Sequence, residues 1–333
     1  MALAILEAQN FKGITAPNPA VGACLVLDDT HIIASRGHEG AGKPHAEAAV
    51  LKDAETKLGS LENLKKLGHR LTLFITLEPC NHQGLTPPCT EAILRSGVKK
   101  IVYGTKDPNP SVKGSGAQTL KTMGCDVQSG VLEAECKKLI LPFVCRVLQN
   151  QPFFVIKQAW RLSSDQASPA ALKSHWTMIP EQGSTFTQNS SLKIAHELRR
   201  ESDVILTGMG TVLADRPSFT VRHVPDFSPK ELPRRRLIIV IGRDTDLPTA
   251  WQPWLEARKA VGFDVLLFQN FGEALSHLKT SSYQQVLVEA GPKLTTKVVE
   301  TLNAAWYRSL QFFHHPKAGS DLVIDEYHCK NYL

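Results

Sequence analysis

Pro44-His45-Ala46-Glu47, followed by Pro79-Cys80 and Pro88-Cys89, limits what this chain can fold into more than any other feature. His45, Cys80 and Cys89 form a borderline-to-soft ligand set, the kind that holds a tetrahedral zinc with one position open. Glu47 stands two residues beyond the ligand histidine, which puts its carboxylate beside the metal rather than on it. Zinc brings the pKa of bound water near neutrality, and a carboxylate so placed can carry protons from water to a departing amine. Any fold that serves this motif must bring the His45 segment and both prolyl cysteines to one point.

A purely structural zinc would need a fourth Cys or His nearby, and His82 or Cys24 could supply it. A lone Pro-Cys says little, because cysteine often serves as a small buried hydrophobe. The ordered set favours the catalytic reading and resembles the zinc signature of nucleobase deaminases. The cysteines are separated by Asn81 to Pro88 instead of by two residues. That longer loop must fold over the metal and is expected to carry substrate contacts.

At 333 residues the chain exceeds a typical domain, so two domains are expected. A hydrophobic fraction of 42% is ordinary for a globular protein. No apolar run approaches the roughly 20 residues of a membrane span, so no membrane partner is expected. Met1 to Phe11 lacks a basic start and a long apolar centre, which argues against a signal peptide. Seven cysteines, two of them assigned to zinc, fit reduced thiols and a cytoplasmic location. The net charge of +6 suits nucleic acid or anionic small molecules. The basic residues are scattered apart from Arg234-Arg235-Arg236, which reads as a solvated strand entrance. Without a basic stripe interleaved with aromatics, no nucleic-acid partner is expected.

Strand patterns cover Val21–Leu27, His31–Ser35, Thr72–Leu77, Lys100–Gly104 and Asp126–Ser129. Helical patterns cover His45–Lys57, Cys89–Ser96, Gly116–Met123 and Glu133–Leu148. This alternation predicts helices packed on a mixed or parallel sheet. It also puts both zinc segments at helix N-termini, where partial positive charge favours thiolate. Polar Gln149-Asn150-Gln151-Pro152 marks a boundary, giving domains 1–148 and 149–333. Beyond it, strands are expected at Phe153–Ala159, Val204–Thr207, Leu237–Ile241, Val265–Phe268, Val286–Val288 and Leu310–Phe313. Helices are expected at Ser191–Arg200 and Pro292–Leu302. Residues 161–190, rich in Ser, Thr, Gln and Pro, read as a long loop.

Three patches of the second domain place free amides or charge at strand ends. They are Gly208-Met209-Gly210-Thr211, Asp215-Arg216-Pro217 through Arg222, and Glu289-Ala290-Gly291-Pro292. Singly, each reads as turn chemistry. Together they favour a nucleotide or dinucleotide site, because ligands of open α/β sheets gather at strand ends.

In the first domain Ala16-Pro17-Asn18-Pro19, Gly37-His38, Pro44 to Glu47, Leu77 to His82, Thr86 to Cys89 and Asp107-Pro108-Asn109-Pro110 carry a resemblance. In the second it rests on Pro152 to Lys157, Ser174-His175-Trp176, Leu198-Arg199, Thr211 to Asp215, Pro217, Val221-Arg222 and Val288 to Pro292. On these residues the chain resembles the bifunctional riboflavin-biosynthesis deaminase–reductase family. The resemblance implies an α/β protein with an N-terminal cytidine-deaminase-like α/β/α domain holding zinc. It implies a C-terminal dihydrofolate-reductase-like α/β domain using NADPH. The substrate so implied is a pyrimidine carrying a ribosyl phosphate, which loses its 2-amino group and then has the ribosyl reduced to ribityl. Carried over, His45, Cys80 and Cys89 hold zinc, Glu47 shuttles the proton, and Asn18, His38 and His82 face the pyrimidine. Ser174, Arg199, Phe219, Arg222 and Glu289 match reductase substrate positions, and Trp176, Thr211, Asp215, Gly291 and Pro292 match NADPH positions. Two arginines facing a phosphorylated sugar suit bidentate phosphate contacts. The family also implies a homo-oligomer.

The chain departs from that family in four places. Leu85 stands where Arg or Lys is usual in the loop between the cysteines. Leu162-Ser163-Ser164-Asp165-Gln166 replaces the usual Ser-Leu-Asp-Gly. Extra residues near Thr177 to Phe186 separate Trp176 from Thr187, and Gly242 stands where an acidic residue usually ends a strand. These leave two alternatives: a deaminase with a binding-only second domain, or a deaminase for another nucleobase.

Overall fold

The computed structural model describes residues 1–109, 116–162, 176–177, 188–226, 236–242, 249–302, 306–314, 321–329 and 332–333. The chain divides into two compact units, Met1–Asn150 with Tyr332–Leu333, and Gln151–Asn331.

The first unit is a five-stranded sheet covered by helices. Its strands are β1 (Gly22–Leu27), β2 (His31–Gly37), β3 (Leu71–Leu77), β4 (Lys100–Thr105) and β5 (Asp126–Ser129), in the order β2-β1-β3-β4-β5. β1 runs antiparallel to β2 and β3, whereas β3, β4 and β5 are parallel. The central β3, Leu-Thr-Leu-Phe-Ile-Thr-Leu, is buried along nearly its whole length, as a strand with helices on both faces must be. The helices are α1 (Ala2–Asn10), α2 (Ala46–Lys57), α3 (Leu61–Leu67), α4 (Cys89–Ser96), α5 (Gly116–Thr122) and α6 (Glu133–Gln149). α4 stops at Gly97, whose φ of +80 is the left-handed cap that glycine allows most readily. α1 falls in the Met1 to Phe11 stretch, which the sequence reading weighs only as a signal peptide and rejects as one. It buries Ala4, Ile5 and Ala8 so close to β1 that a Cβ on Gly22 would lie 1.9 Å from the Ala4 carbonyl oxygen.

The second unit is built on β6 (Phe153–Leu162), β8 (Val204–Gly208), β9 (Arg236–Ile241), β10 (Phe263–Phe268), β11 (Gln285–Val288), β12 (Tyr307–His314) and β13 (Leu322–His328). These lie in the order β10-β9-β8-β11-β6-β12-β13, and β7 (Trp176–Thr177) pairs with β6. All are parallel except β7 and β13. The helices are α7 (Asn189–Glu201), α8 (Met209–Asp215), α9 (Trp251–Ala260), α10 (Phe271–Thr280) and α11 (Pro292–Leu302). Alternate strand residues feed two cores. Ile205, Ile238 and Val240 meet Val212, Phe219, Trp251 and Trp254 on one face. Leu206, Leu237, Ile239, Val286 and Val288 meet Phe271, Leu278 and Val298 on the other. No described helix is long and apolar enough to cross a membrane.

Several expectations need correction. The β6–β7 pairing intrudes on the long loop expected at 161–190. The Gly208-Met209-Gly210-Thr211 patch, which read singly as turn chemistry, leads into a short helix, Met209–Asp215. Arg236 is no solvated strand entrance: it is only 6% exposed, and its guanidinium forks onto Asp226 at 2.9 and 3.0 Å. β9 lies between β8 and β10, so a cation opening it must be paired.

Candidate active site

The zinc ligands arrive on three local devices. His45 is the N-cap of α2, Cys89 is the first residue of α4, and Cys80 follows β3. His45 Nδ1 lies 3.5 Å from Cys80 Sγ and 3.3 Å from Cys89 Sγ, and the three donor atoms all fall within 4.8 Å of one another. A zinc with Zn–S near 2.3 Å and Zn–N near 2.0 Å has tetrahedral donor edges of about 3.5–3.8 Å, within a few tenths of an ångström of these distances, so the set fits that metal. Among the described residues neither His82 nor Cys24 joins the group, which leaves three donors and an open fourth position. The Cys89 N–H donates to Cys80 Sγ at 3.3 Å, and the Thr90 N–H donates to the Cys80 carbonyl at 3.2 Å. The hydrogen bond between the thiols, with His45 beside them, pulls Cys80 down to about 4, while that bond and burial push Cys89 up. The Cys80 bond raises His45.

Glu47 sits in the first turn of α2, buried, and burial together with the Cys80 charge raises its carboxyl to about 7. It lines a cavity of ≈ 220 Å³ with His45, Cys80, Asn18, His38 and His82. Asn18 Nδ2 donates to His38 Nε2 at 3.0 Å, and His38 Nδ1 donates to the Pro44 carbonyl at 3.0 Å. This network assigns a neutral His38, in keeping with burial lowering its pKa. The ring fixes the backbone one residue ahead of His45 and holds the Asn18 amide at the cavity wall.

In the second unit the parallel strands turn one edge towards Gly208, Gly242 and the Glu289-Ala290-Gly291-Pro292 turn. Thr211 and Asp215 stand on α8 just beyond it. Open space surrounds the Cβ positions of Gly210 and Gly291, and Thr207 Oγ1 is buried without a hydrogen-bond partner among the described residues. An open cradle with an orphaned hydroxyl at strand ends fits a dinucleotide. Arg199 Nε and Nη2 donate to Glu289 Oε1 and Oε2 at 2.5 and 2.8 Å, and Lys157 Nζ lies 3.7 Å from the same carboxylate. Burial opposes ionisation of Glu289, but Arg199 and then Lys157 outweigh it and hold the carboxyl at about 2. The Arg199 guanidinium also lies over the Phe219 ring, 5.8 Å from its centroid. Arg222 is exposed, donates to Thr220 Oγ1 at 2.9 Å and contacts Ser218.

The family model for the cytidine and deoxycytidylate deaminase zinc-binding region matches residues 1–105, and that for the RibD C-terminal domain matches residues 169–318. The chain is 35% identical to the riboflavin biosynthesis protein RibD of Aquifex aeolicus over 98% of its own length and 89% of that protein's. It belongs to the RibD family. A solved diaminohydroxyphosphoribosylaminopyrimidine deaminase/5-amino-6-(5-phosphoribosylamino)uracil reductase of Thermotoga maritima is 30% identical. It superposes with a TM-score of 0.71 over 96% of this chain and 88% of the other. Acinetobacter baumannii RibD superposes with a TM-score of 0.69 at 27% identity, over 96% of this chain and 86% of that one. Both units therefore carry the RibD folds, a cytidine-deaminase-like domain and a dihydrofolate-reductase-like domain.

Within this RibD frame the fold gathers every deaminase residue named from the sequence around one cavity. It joins Arg199, Glu289 and Phe219 into one cluster, with Arg222 on the neighbouring turn. Ser174 lies outside the described residues, and of Trp176 only the backbone strand β7 is described. Some participants carried no role in the sequence reading. Glu78 accepts from the Ala117 and Asp107 N–H groups at 3.2 and 3.4 Å, tying the cysteine loop to the β4–α5 connection. Asn81 bridges Thr90 and Thr119, and Phe143 of α6 completes the cavity. In the second unit buried His196 accepts from the Arg222 N–H at 2.9 Å. Burial, then Arg199, lower its pKa to about 4, so the ring stays neutral and anchors the Arg222 turn. His196 sits three residues before Arg199, one helical turn away, the only signal that could have found it.

Proposed function

We propose that the chain catalyses two consecutive steps of riboflavin biosynthesis. The first unit deaminates a 2,5-diamino-6-ribosylamino-pyrimidinone 5'-phosphate hydrolytically, and the second reduces its ribosyl group to ribityl with NADPH. One observation carries the reading: buried Glu47 shares a cavity with a three-donor zinc site, in a chain of the RibD family. Zinc, when bound by His45, Cys80 and Cys89, supplies a water with a pKa near 7. Glu47 takes a proton from the attacking water and delivers it to the departing amino nitrogen. Asn18, His38 and His82 orient the pyrimidine, and Phe143 helps exclude bulk water.

In the second unit a nicotinamide cofactor supplies the hydride. Thr211, Asp215, Gly291 and Pro292, with Trp176, would hold it at the strand ends. Arg199, Phe219, Glu289 and Ser174 would bound the sugar site, and Arg222, on an exposed turn, would grip the phosphate. The partner is a small phosphorylated pyrimidine in the cytoplasm, rather than nucleic acid.

Mass spectrometry of the zinc-loaded protein with this substrate tests both halves. Deamination exchanges an amino group for oxygen, and reduction adds hydrogen. The first change is expected with or without NADPH, and the second only with it. Deamination alone in both conditions would reduce the second unit to a binding role. Neither change, with zinc bound, would overturn the substrate assignment.

A further inference from the structure

The deaminase cavity is rich in acid and poor in cations. Its walls include Glu47, Glu78 and Asp107, and Lys43 is its one lysine or arginine among the described residues. The acids belong to the interior: Glu47 and Glu78 are buried, and Asp107 Oδ1 accepts the Asn109 N–H at 2.9 Å. A phosphate on the substrate is repelled by these groups and must lie towards the mouth. The loop between the cysteines lines the cavity with Gly84, Leu85 and Thr86, which offer no cation, and Leu85 is 89% exposed. A tight turn that ends in Lys43 also lines the cavity. The Lys43 N–H donates to the Gly40 carbonyl at 3.0 Å, and Gly42 holds a φ of +77. The next residue, Pro44, is anchored by His38, so the Lys43 backbone is fixed two residues ahead of the His45 ligand. The side chain is exposed and forms no ion pair among the described residues. It is a mobile point charge on a fixed base.

We propose that Lys43 takes the substrate's phosphate at the deaminase site and selects the phosphorylated pyrimidine over its dephosphorylated form. The inference rests on the deaminase reading given above. Steady-state deamination by the full, zinc-loaded chain tests it with the phosphorylated substrate and the corresponding ribonucleoside. Zinc content is measured on each variant. Lys43→Met should raise KM for the phosphorylated substrate about ten- to a hundredfold, the usual weight of a hydrogen bond between charged groups. It should leave kcat, zinc content and the KM for the ribonucleoside unchanged, and remove the salt sensitivity of KM. Adding Leu85→Lys to that variant should restore part of the preference, since Leu85 is an exposed residue lining the same cavity. An unchanged KM, or an equal loss on both substrates, overturns the assignment. A parent chain that binds zinc and deaminates neither compound overturns the deaminase reading itself, and this inference with it.

Discussion

Arg199→Met should cost the second unit about 3 kcal/mol, and most of that cost should disappear when Glu289→Gln is added. The fork between the two side chains is made at 2.5 and 2.8 Å with only 13% and 9% of them exposed. Glu289 is held at about 2 against an ordinary 4.5, which corresponds to about 3 kcal/mol of preference for the charged form. Removing Arg199 leaves a buried carboxylate with Lys157, 3.7 Å away, as its remaining ion-pair partner among the described residues. Breaking such a pair costs about 3–5 kcal/mol, and Lys157 sets the expectation at the low end. The double variant removes both charges and leaves one neutral amide, worth about 1 kcal/mol. Urea unfolding followed by tryptophan fluorescence is the assay. All five tryptophans, Trp160, Trp176, Trp251, Trp254 and Trp306, belong to the second unit, so the signal reports on it alone. Acid supplies a second reading. The folded pKa of Glu289 is depressed, so its contribution is full above about 4.5 and is lost as pH falls towards 2. The gap between parent and Arg199→Met should narrow on acidification. If the single and double variants are equally destabilised, or if the gap is independent of pH, the pair does not act as argued.

Two further substitutions probe the first unit. Glu47→Gln should lower deamination by about a hundred- to ten-thousandfold while zinc content and NADPH-dependent reduction stay at parent levels. Zinc-loaded Glu47→Gln working at the parent rate would remove the carboxylate from the mechanism. Gly116→Ala puts a Cβ 1.9 Å from the Pro79 carbonyl oxygen, backbone that cannot swing aside, so the segment carrying Cys80 must shift. Weaker zinc binding by competition with a chelator is expected, with a stability loss of about 1–3 kcal/mol. Unchanged zinc affinity and Tm would refute the close approach.

The deaminase site was legible because its parts are local. His45 and Glu47 share one turn of α2, and each prolyl cysteine sits at a strand or helix end that its own neighbours define. Its supports were not legible. Glu78 works through the N–H groups of Ala117 and Asp107, and Phe143 comes from α6, and no spacing rule connects such residues. Elements were missed for different reasons. α10 carried a readable signal, since Asn270 caps it by accepting the Glu273 N–H at 3.1 Å, and Phe271, Ala274 and Leu278 recur at helical spacing. In α9 Pro253 and scattered charges hide the buried pair Trp251 and Trp254. α1 depends on Gly22, a glycine whose meaning appears only when Ala4 lies against it.

The second site resisted reading because its pairings are long-range. Arg199 and Glu289 are ninety residues apart in sequence, and they meet because α7 leads into β8, which lies beside β11 in the sheet. Local packing also explains Gly242, one of the departures from the family pattern that left a binding-only second domain as an alternative. A Cβ there would lie 2.7 Å from the Met209 Cβ, with the Met209 Cγ and Cε at 3.4 and 3.5 Å. An acidic side chain at this strand end would collide with the first residue of α8. Met209 fills the space that such a side chain would occupy, so glycine and methionine form a matched pair. Gly242 therefore reflects how α8 packs on β9, and by itself it says nothing about whether the adjoining Gly291-Pro292 turn can hold a cofactor.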